Sequence, residues 1–428
     1  MRPSVGRSKT GSRVGAAVAA SVAAMALTVT AAHGAVAEPR PDEDIKVNAT
    51  VAALIEAYAI NSYELMDLQM VAAQNDLSLE QAIARFAWND EFAALVADVR
   101  EQFPDDFAGA AINEDGNPWI AFNADVPAAA RALINTPAVP LDSVDIDLRT
   151  GTGFTELVLQ EEIETLHFAL LEQPGIVDLI TSFDDETLTF EVVASVDGAL
   201  RRTRTALAAQ ALGAEAQARI PGSSLEFNVV VNTELVHTEN SSAHYGGELI
   251  TQCTSGFATR DTSSTAGTRG MVTAGHCPNT QSDDGANLPF VRGHEGTHGD
   301  FQLHRGSQAL SNRFYAGSAT ATEVNPRSVT AVGSPTVGQS LCRNGRSTQA
   351  NCQQVRRVNV CAMGVCNMVQ MGEHRSAGGD SGGPIYWSNT AFGVHMGMHY
   401  DPVWPASREL FSRADRMPQA IQAHVATN

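Results

Sequence analysis

The chain has 428 residues, 43% hydrophobic and 18% charged, with a formal charge of −20. That length and composition leave room for two or three folded domains and exclude a fibrous or wholly disordered chain. The charge is unevenly spread: residues 1–37 carry four basic groups and no acidic ones, 38–240 carry 36 acidic against 10 basic, and 241–428 carry 12 against 14, which marks a boundary near 240.

Arg2, Arg7, Lys9 and Arg13 precede an apolar run from Gly15 to Thr30, and Ala35-Val36-Ala37 offers a small-x-small cleavage site. This is the pattern of a secretory signal peptide over 1–37, with an apolar run short of the ~20 residues that span a bilayer. A soluble, extracellular product is expected, with no membrane contact once the signal is removed. Residues 47–103 read as helical, with Ser78-Leu79-Glu80-Gln81 as an N-terminal cap. Residues 104–150 read as loop-rich, punctuated by Asn113 to Pro118 and Pro137 to Pro140. An α/β stretch follows, with helices over Thr155–Glu172 and Gly198–Leu212 and strands over Thr187–Val193 and Leu225–Val231.

Beyond 241 the helical periodicity fades, and short β-rich runs separated by Gly, Thr, Ser and Asn predict an all-β barrel or sandwich. These runs include Gly270–Thr273, Val329–Val332, Gln354–Val360, Met368–Met371 and Ala391–Met396, before a short C-terminal helix over Arg413–Val425. All six cysteines fall after 250, an even count that in an exported chain predicts three disulfides.

Three local sequences carry chemistry: Thr273-Ala274-Gly275-His276-Cys277, Gly299-Asp300-Phe301, and Gly378-Gly379-Asp380-Ser381-Gly382-Gly383-Pro384. A serine hydroxyl is a poor nucleophile at neutral pH and needs an adjacent base, which in turn needs a carboxylate to fix its tautomer. His276 and Ser381 fit the first two parts and Asp300 the third, with Asp261, Asp283 and Asp284 as alternative carboxylates. Taken together, over roughly 245–415, these motifs resemble the chymotrypsin-type serine proteases of the bacterial secreted branch, the streptogrisin and α-lytic protease-like enzymes.

The resemblance implies a double antiparallel β-barrel catalytic domain (241–428) behind an acidic α/β pro-region (38–240) that aids folding and inhibits until removed. It implies a secreted serine endopeptidase working through an acyl-enzyme, with the triad His276, Asp300 and Ser381 and an oxyanion hole made by the N–H groups of Gly379 and Ser381. It further implies the bridges Cys253–Cys277 and Cys342–Cys352, leaving Cys361–Cys366, and a structural ion pair between Arg343 and Asp380. Ser376 and His395 are the candidate substrate-binding residues, His395 falling on the strand where glutamate-specific members place a histidine. Two departures leave primary specificity open. The cysteine usual before the nucleophile loop is missing, and Gly393-Val394-His395-Met396-Gly397-Met398 replaces a Ser-Gly-Gly strand end.

The partners expected are protein or peptide substrates and the chain's own pro-region, with no nucleic acid, in a monomer with no metal or cofactor. An independent acidic domain is the alternative for 38–240. Two rivals exist for the enzyme itself. A protease-fold binding module would have lost a triad residue, whereas all three positions are filled. A zinc protease is suggested by the literal H-E-x-x-H of His294-Glu295-Gly296-Thr297-His298, with His304 beyond it. That motif requires a helix, which Gly293, Gly296 and Gly299 each disfavour by roughly 1 kcal/mol.

Overall fold

Asparagine and serine caps start the first helices of the computed structural model. It describes residues 48–427 apart from 137–140, 142–143, 174–175, 186, 197–223, 231–245, 263–268, 284–285, 306–311, 318–325, 374 and 402–405. The expected signal peptide, the helix over 198–212 and residues 231–245 before the β-rich region lie outside the described residues. Asn48, Asn61 and Ser78 cap α1 (Ala49–Ala57), α2 (Ser62–Gln74) and α3 (Leu79–Phe86), and Ser78 with Gln81 closes a reciprocal capping box. Next come α4 (Asn89–Gln102), β1 (Phe107–Ile112), β2 (Pro118–Phe122), α5 (Ala128–Ile134) and β3 (Asp147–Arg149).

Much of 104–150 is therefore regular, against the loop-rich expectation. The Asn113–Pro118 punctuation is the turn of a hairpin, with the Asn113 carboxamide accepting from the Asn117 N–H at 2.8 Å. Its strands gave no alternation signal because β1 and β2 are buried along their whole length. Thr155 caps α6 (Glu156–Leu171), and β4 (Ile176–Asp184), β5 (Thr189–Val196) and β6 (Ser224–Val230) pair side by side in that order at one end of a larger sheet.

In the C-terminal region, a first curled sheet has the order β9-β10-β8-β7-β18, comprising β7 (Ala258–Asp261), β8 (Arg269–Thr273), β9 (Phe290–Gly296), β10 (Gly299–Arg305) and β18 (Ala423–Val425). A short pair, whose second strand is β11 (Arg327–Ser328), links it to a second barrel. That barrel holds β12 (Ser340–Gly345), β13 (Gln349–Ala362), β14 (Val365–Glu373), β15 (Pro384–Trp387), β16 (Thr390–Asp401) and β17 (Ala406–Arg413). Its order β12-β15-β16-β17-β14-β13 closes because β13 also pairs with β12, giving six strands. The fold is the chymotrypsin-like double barrel.

The 14-residue β13 serves two sheets. Its first half pairs with β12, placing Cys352 opposite Cys342, while Cys361 and Ala362 at its far end pair with Thr181 and Ile180 of β4. The N-terminal sheet thereby continues the second barrel, and α6 covers the join with Leu159, Ile163, Leu166 and Leu170 against Cys361 and Cys366. Helices α1–α3 pack into the core that holds Trp387, Phe392 and Val355. At the C-terminus the expected helix is cut short. α7 (Met417–Ile421) stops at Gln422, whose φ of 46° turns the chain into β18.

Candidate active site

The Ala274-Gly275-His276-Cys277 segment leaves the end of β8 and faces β10, the next strand of the same sheet. Asp300, second residue of β10 and 1% exposed, takes two hydrogen bonds from His276: the backbone N–H reaches Oδ1 at 2.9 Å and Nδ1 reaches Oδ2 at 2.6 Å. The Asp300 N–H donates to Ser412 Oγ of β17 at 2.9 Å, tying the residue to the second barrel through its backbone. Gly275 is required beside it, since a Cβ there would meet Asp300 Oδ1. Burial works against a charged His276, but the hydrogen bond and charge of Asp300, with Glu295 adding, raise its pKa above the ordinary histidine value. Of the alternative carboxylates, Asp261 pairs with Arg292.

Ser381 sits in the tight turn between barrels that its glycines permit. Gly379 and Gly382 have φ of 99° and 93°, and a Cβ on Gly382 would strike Thr254 O and Thr273 Oγ1. Thr254 joins the two halves of the site: its N–H donates to Ser381 O at 2.7 Å, while its carbonyl accepts from Thr273 Oγ1, three residues before His276, at 2.9 Å. Its own hydroxyl donates to Gly379 O at 2.7 Å. The Ser381 hydroxyl donates to the Met396 carbonyl at 3.0 Å rather than to His276. The N–H groups of Gly379 and Ser381 have no acceptor among the described residues.

Beneath the turn, Asp380 is fully buried and meets Arg343 at 3.2 Å. Its carboxylate also accepts from the N–H groups of Ser347 and Ala377 and from Thr348 Oγ1. Arg343 has a second anionic partner, Glu409 at 3.2 Å, which the motifs gave no means of finding because it lies 66 residues away. Bridges join Cys253–Cys277, Cys342–Cys352 and Cys361–Cys366.

His395, 1% exposed, runs beside the nucleophile turn: its N–H donates to Gly383 O and its carbonyl accepts from the Gly382 N–H, at 2.8 and 2.7 Å. Ser376 is buried in the loop leading to Asp380. The H-E-x-x-H segment is the end of β9 and its turn, not a helix; His294 Nε2 accepts from the His298 N–H at 3.1 Å and the two rings stack. Its Glu295 instead lies opposite Asp300 across the β9–β10 pair.

No family model matches the chain. It is 30% identical over 165 residues to Glutamyl endopeptidase 2 of Streptomyces griseus, an alignment covering 36% of this chain and 82% of that protein. Among solved structures, a glutamic acid specific serine protease that utilizes a histidine triad in substrate binding is 25% identical, covering 44% of this chain and 99% of its own at a TM-score of 0.34. Nocardiopsis protease is 20% identical, covering 45% and 99%, also at 0.34.

Proposed function

Because the chain belongs to the chymotrypsin-type serine endopeptidases of bacteria, we propose that it is a secreted precursor whose residues 38–240 are removed to release a protease cutting after glutamate. The observation that carries the mechanism is the buried Asp300 carboxylate holding both the ring and the backbone of His276. With Nδ1–H donated to Asp300, Nε2 keeps its lone pair and serves as the base.

Ser381 Oγ, swung from Met396 O toward His276, attacks the scissile carbonyl carbon as its proton passes to Nε2. The oxyanion is received by the N–H groups of Gly379 and Ser381, each worth about 2.7–4 kcal/mol in such sites. Collapse breaks the C–N bond, the amine leaves with the proton from His276, and water then hydrolyses the acyl-enzyme by the same steps. Arg343, held between Asp380 and Glu409, sets the turn without help from a newly freed N-terminus.

The precursor reading is supported by the basic-then-apolar start of the chain and by the acidic α/β region ahead of the barrels. Glutamate preference is supported by the activity named for the Streptomyces griseus relative and by His395 beside the nucleophile turn. The test is fluorophosphonate labelling of secreted protein, with mass spectrometry of the adduct and of the mature N-terminus. A label on Ser381 in a chain beginning near 240 is expected, and Ser381→Ala must abolish both label and peptide hydrolysis. Equal rates on glutamyl and phenylalanyl substrates would remove the specificity claim alone.

A further inference from the structure

Arg327 of β11, between the Asp300 and Ser381 motifs in sequence, is 2% exposed and sits in a prepared polar niche. Its Nη1 donates to Ser388 O at 3.2 Å, and its guanidinium lies 5.4 Å from the Tyr386 ring centre. Ser388 has a φ of 50°, in the turn joining β15 to β16, so its N–H points out of the barrel ladder. That turn is riveted to the next segment: Asn389 Nδ2 donates to Ser328 O at 2.6 Å, and the Thr330 N–H donates to Asn389 O at 2.9 Å. All of these groups belong to the C-terminal region. The niche is therefore organised by contacts internal to the protease.

A carboxylate from the other region fills it. Asp67 of α2, fully buried, places Oδ2 2.7 Å from Arg327 Nη1 and 2.7 Å from the Ser388 nitrogen. From the same helix Tyr63 stacks 5.2 Å from the guanidinium, and the capping residue Asn61 bonds the Ser388 hydroxyl. A guanidinium and a backbone N–H converging on one oxygen beside an aromatic face recognise a carboxylate.

We infer that Arg327, the Ser388 N–H and Tyr386 form a carboxylate-binding exosite, filled by Asp67 in the precursor and opened to acidic peptide side chains when residues 38–240 leave. It rests on the precursor reading given above. The site lies at the opposite end of β15 from Ser381, so acidic segments held there are remote from the bond being cut. Wetting of the niche after α2 departs leaves Arg327 anchored by Ser388 O and Tyr386, and the anion site persists in the mature enzyme.

The test uses the processed, secreted protein, its N-terminus first fixed by mass spectrometry, titrated with N-acetyl-aspartate N-methylamide and its asparagine counterpart while backbone amides are followed by NMR. A saturable shift of the Ser388 amide, in the millimolar range and at least tenfold weaker for the asparagine probe, is expected, and Arg327→Gln should remove it. Where that variant fails to fold, the contrast between the two probes on the unaltered enzyme still decides. A processed chain whose Ser388 amide does not respond, or responds equally to both probes, overturns the exosite alone. A chain that retains 38–240 overturns the precursor reading and the exosite with it.

Discussion

Two carboxylates act on His276, and they act differently. Asp300 touches the ring, whereas Glu295, a neighbour across β9 and β10, works through charge alone. Both raise the His276 pKa, so the neutral base is lost as pH falls through that raised value and activity falls with it. Glu295→Gln should therefore move the acid limb of the kcat/KM profile to lower pH with little change at its plateau; an unmoved limb would mean solvent screens Glu295 fully. Asp300→Asn should lower kcat by about 10⁴-fold, and an unchanged rate would assign the orienting role to another group. The His276–Asp300 contact and the Ser381 turn sit in local motifs that the sequence displays outright, with glycines that neighbouring atoms require at 275, 299 and 382. Glu409, Thr254 and the Asp67–Arg327 pair were not legible in this way, since each is a meeting of residues 66 to 260 positions apart that only folding brings about.

At the level of elements, the packing of α6 against the β13–β14 hairpin is sensitive to acid. His167, fully buried on α6, has Nδ1 3.2 Å from Thr181 Oγ1 and accepts the Gly364 N–H on Nε2 at 3.3 Å. Burial pushes its pKa down to about 4, with no charged group offsetting it. Protonation would set an N–H against the Gly364 N–H. The neutral ring thus contributes its full stabilisation above pH 6.5, loses it as pH falls from 6.5 toward 4, and adds no further loss below that. The total is about 3 kcal/mol. The protection factor of the Gly364 amide, its exchange rate corrected for the intrinsic pH dependence, should fall over that window in the intact Ser381→Ala chain, and His167→Gln should flatten the response. Sequence periodicity located α6 to within a residue at each end, but missed β1, β2 and β4. In β1 and β2, apolar residues buried along the whole strand leave neither alternation nor helical spacing to read.

Across the whole molecule, a −26 region lies on a +2 region. Their seam holds a cavity of about 210 Å³ lined by Arg356, Arg357 and Arg408 together with Glu114, Asp184 and Asp185. Arg357 reaches Glu191 at 2.9 Å, while Arg356 and Glu114 are exposed and 3.8 Å apart. Exposed pairs such as Arg356–Glu114 are screened over about 3 Å in 1 M salt against about 10 Å in 0.1 M. On the proposed removal of 38–240, association of that segment with residues 241–428 should accordingly weaken several-fold over that range, by calorimetry, and salt-independent association would assign it to the apolar seam. The double barrel follows from many short strands, but which strand closes each barrel does not, because closure is a long-range choice. The first sheet, otherwise built from residues 258–305, is completed by residues 423–425. A chain still emerging from the ribosome therefore holds His276 and Asp300 on an unfinished sheet. Completion of the sheet that carries both residues thus waits on a segment made long after them.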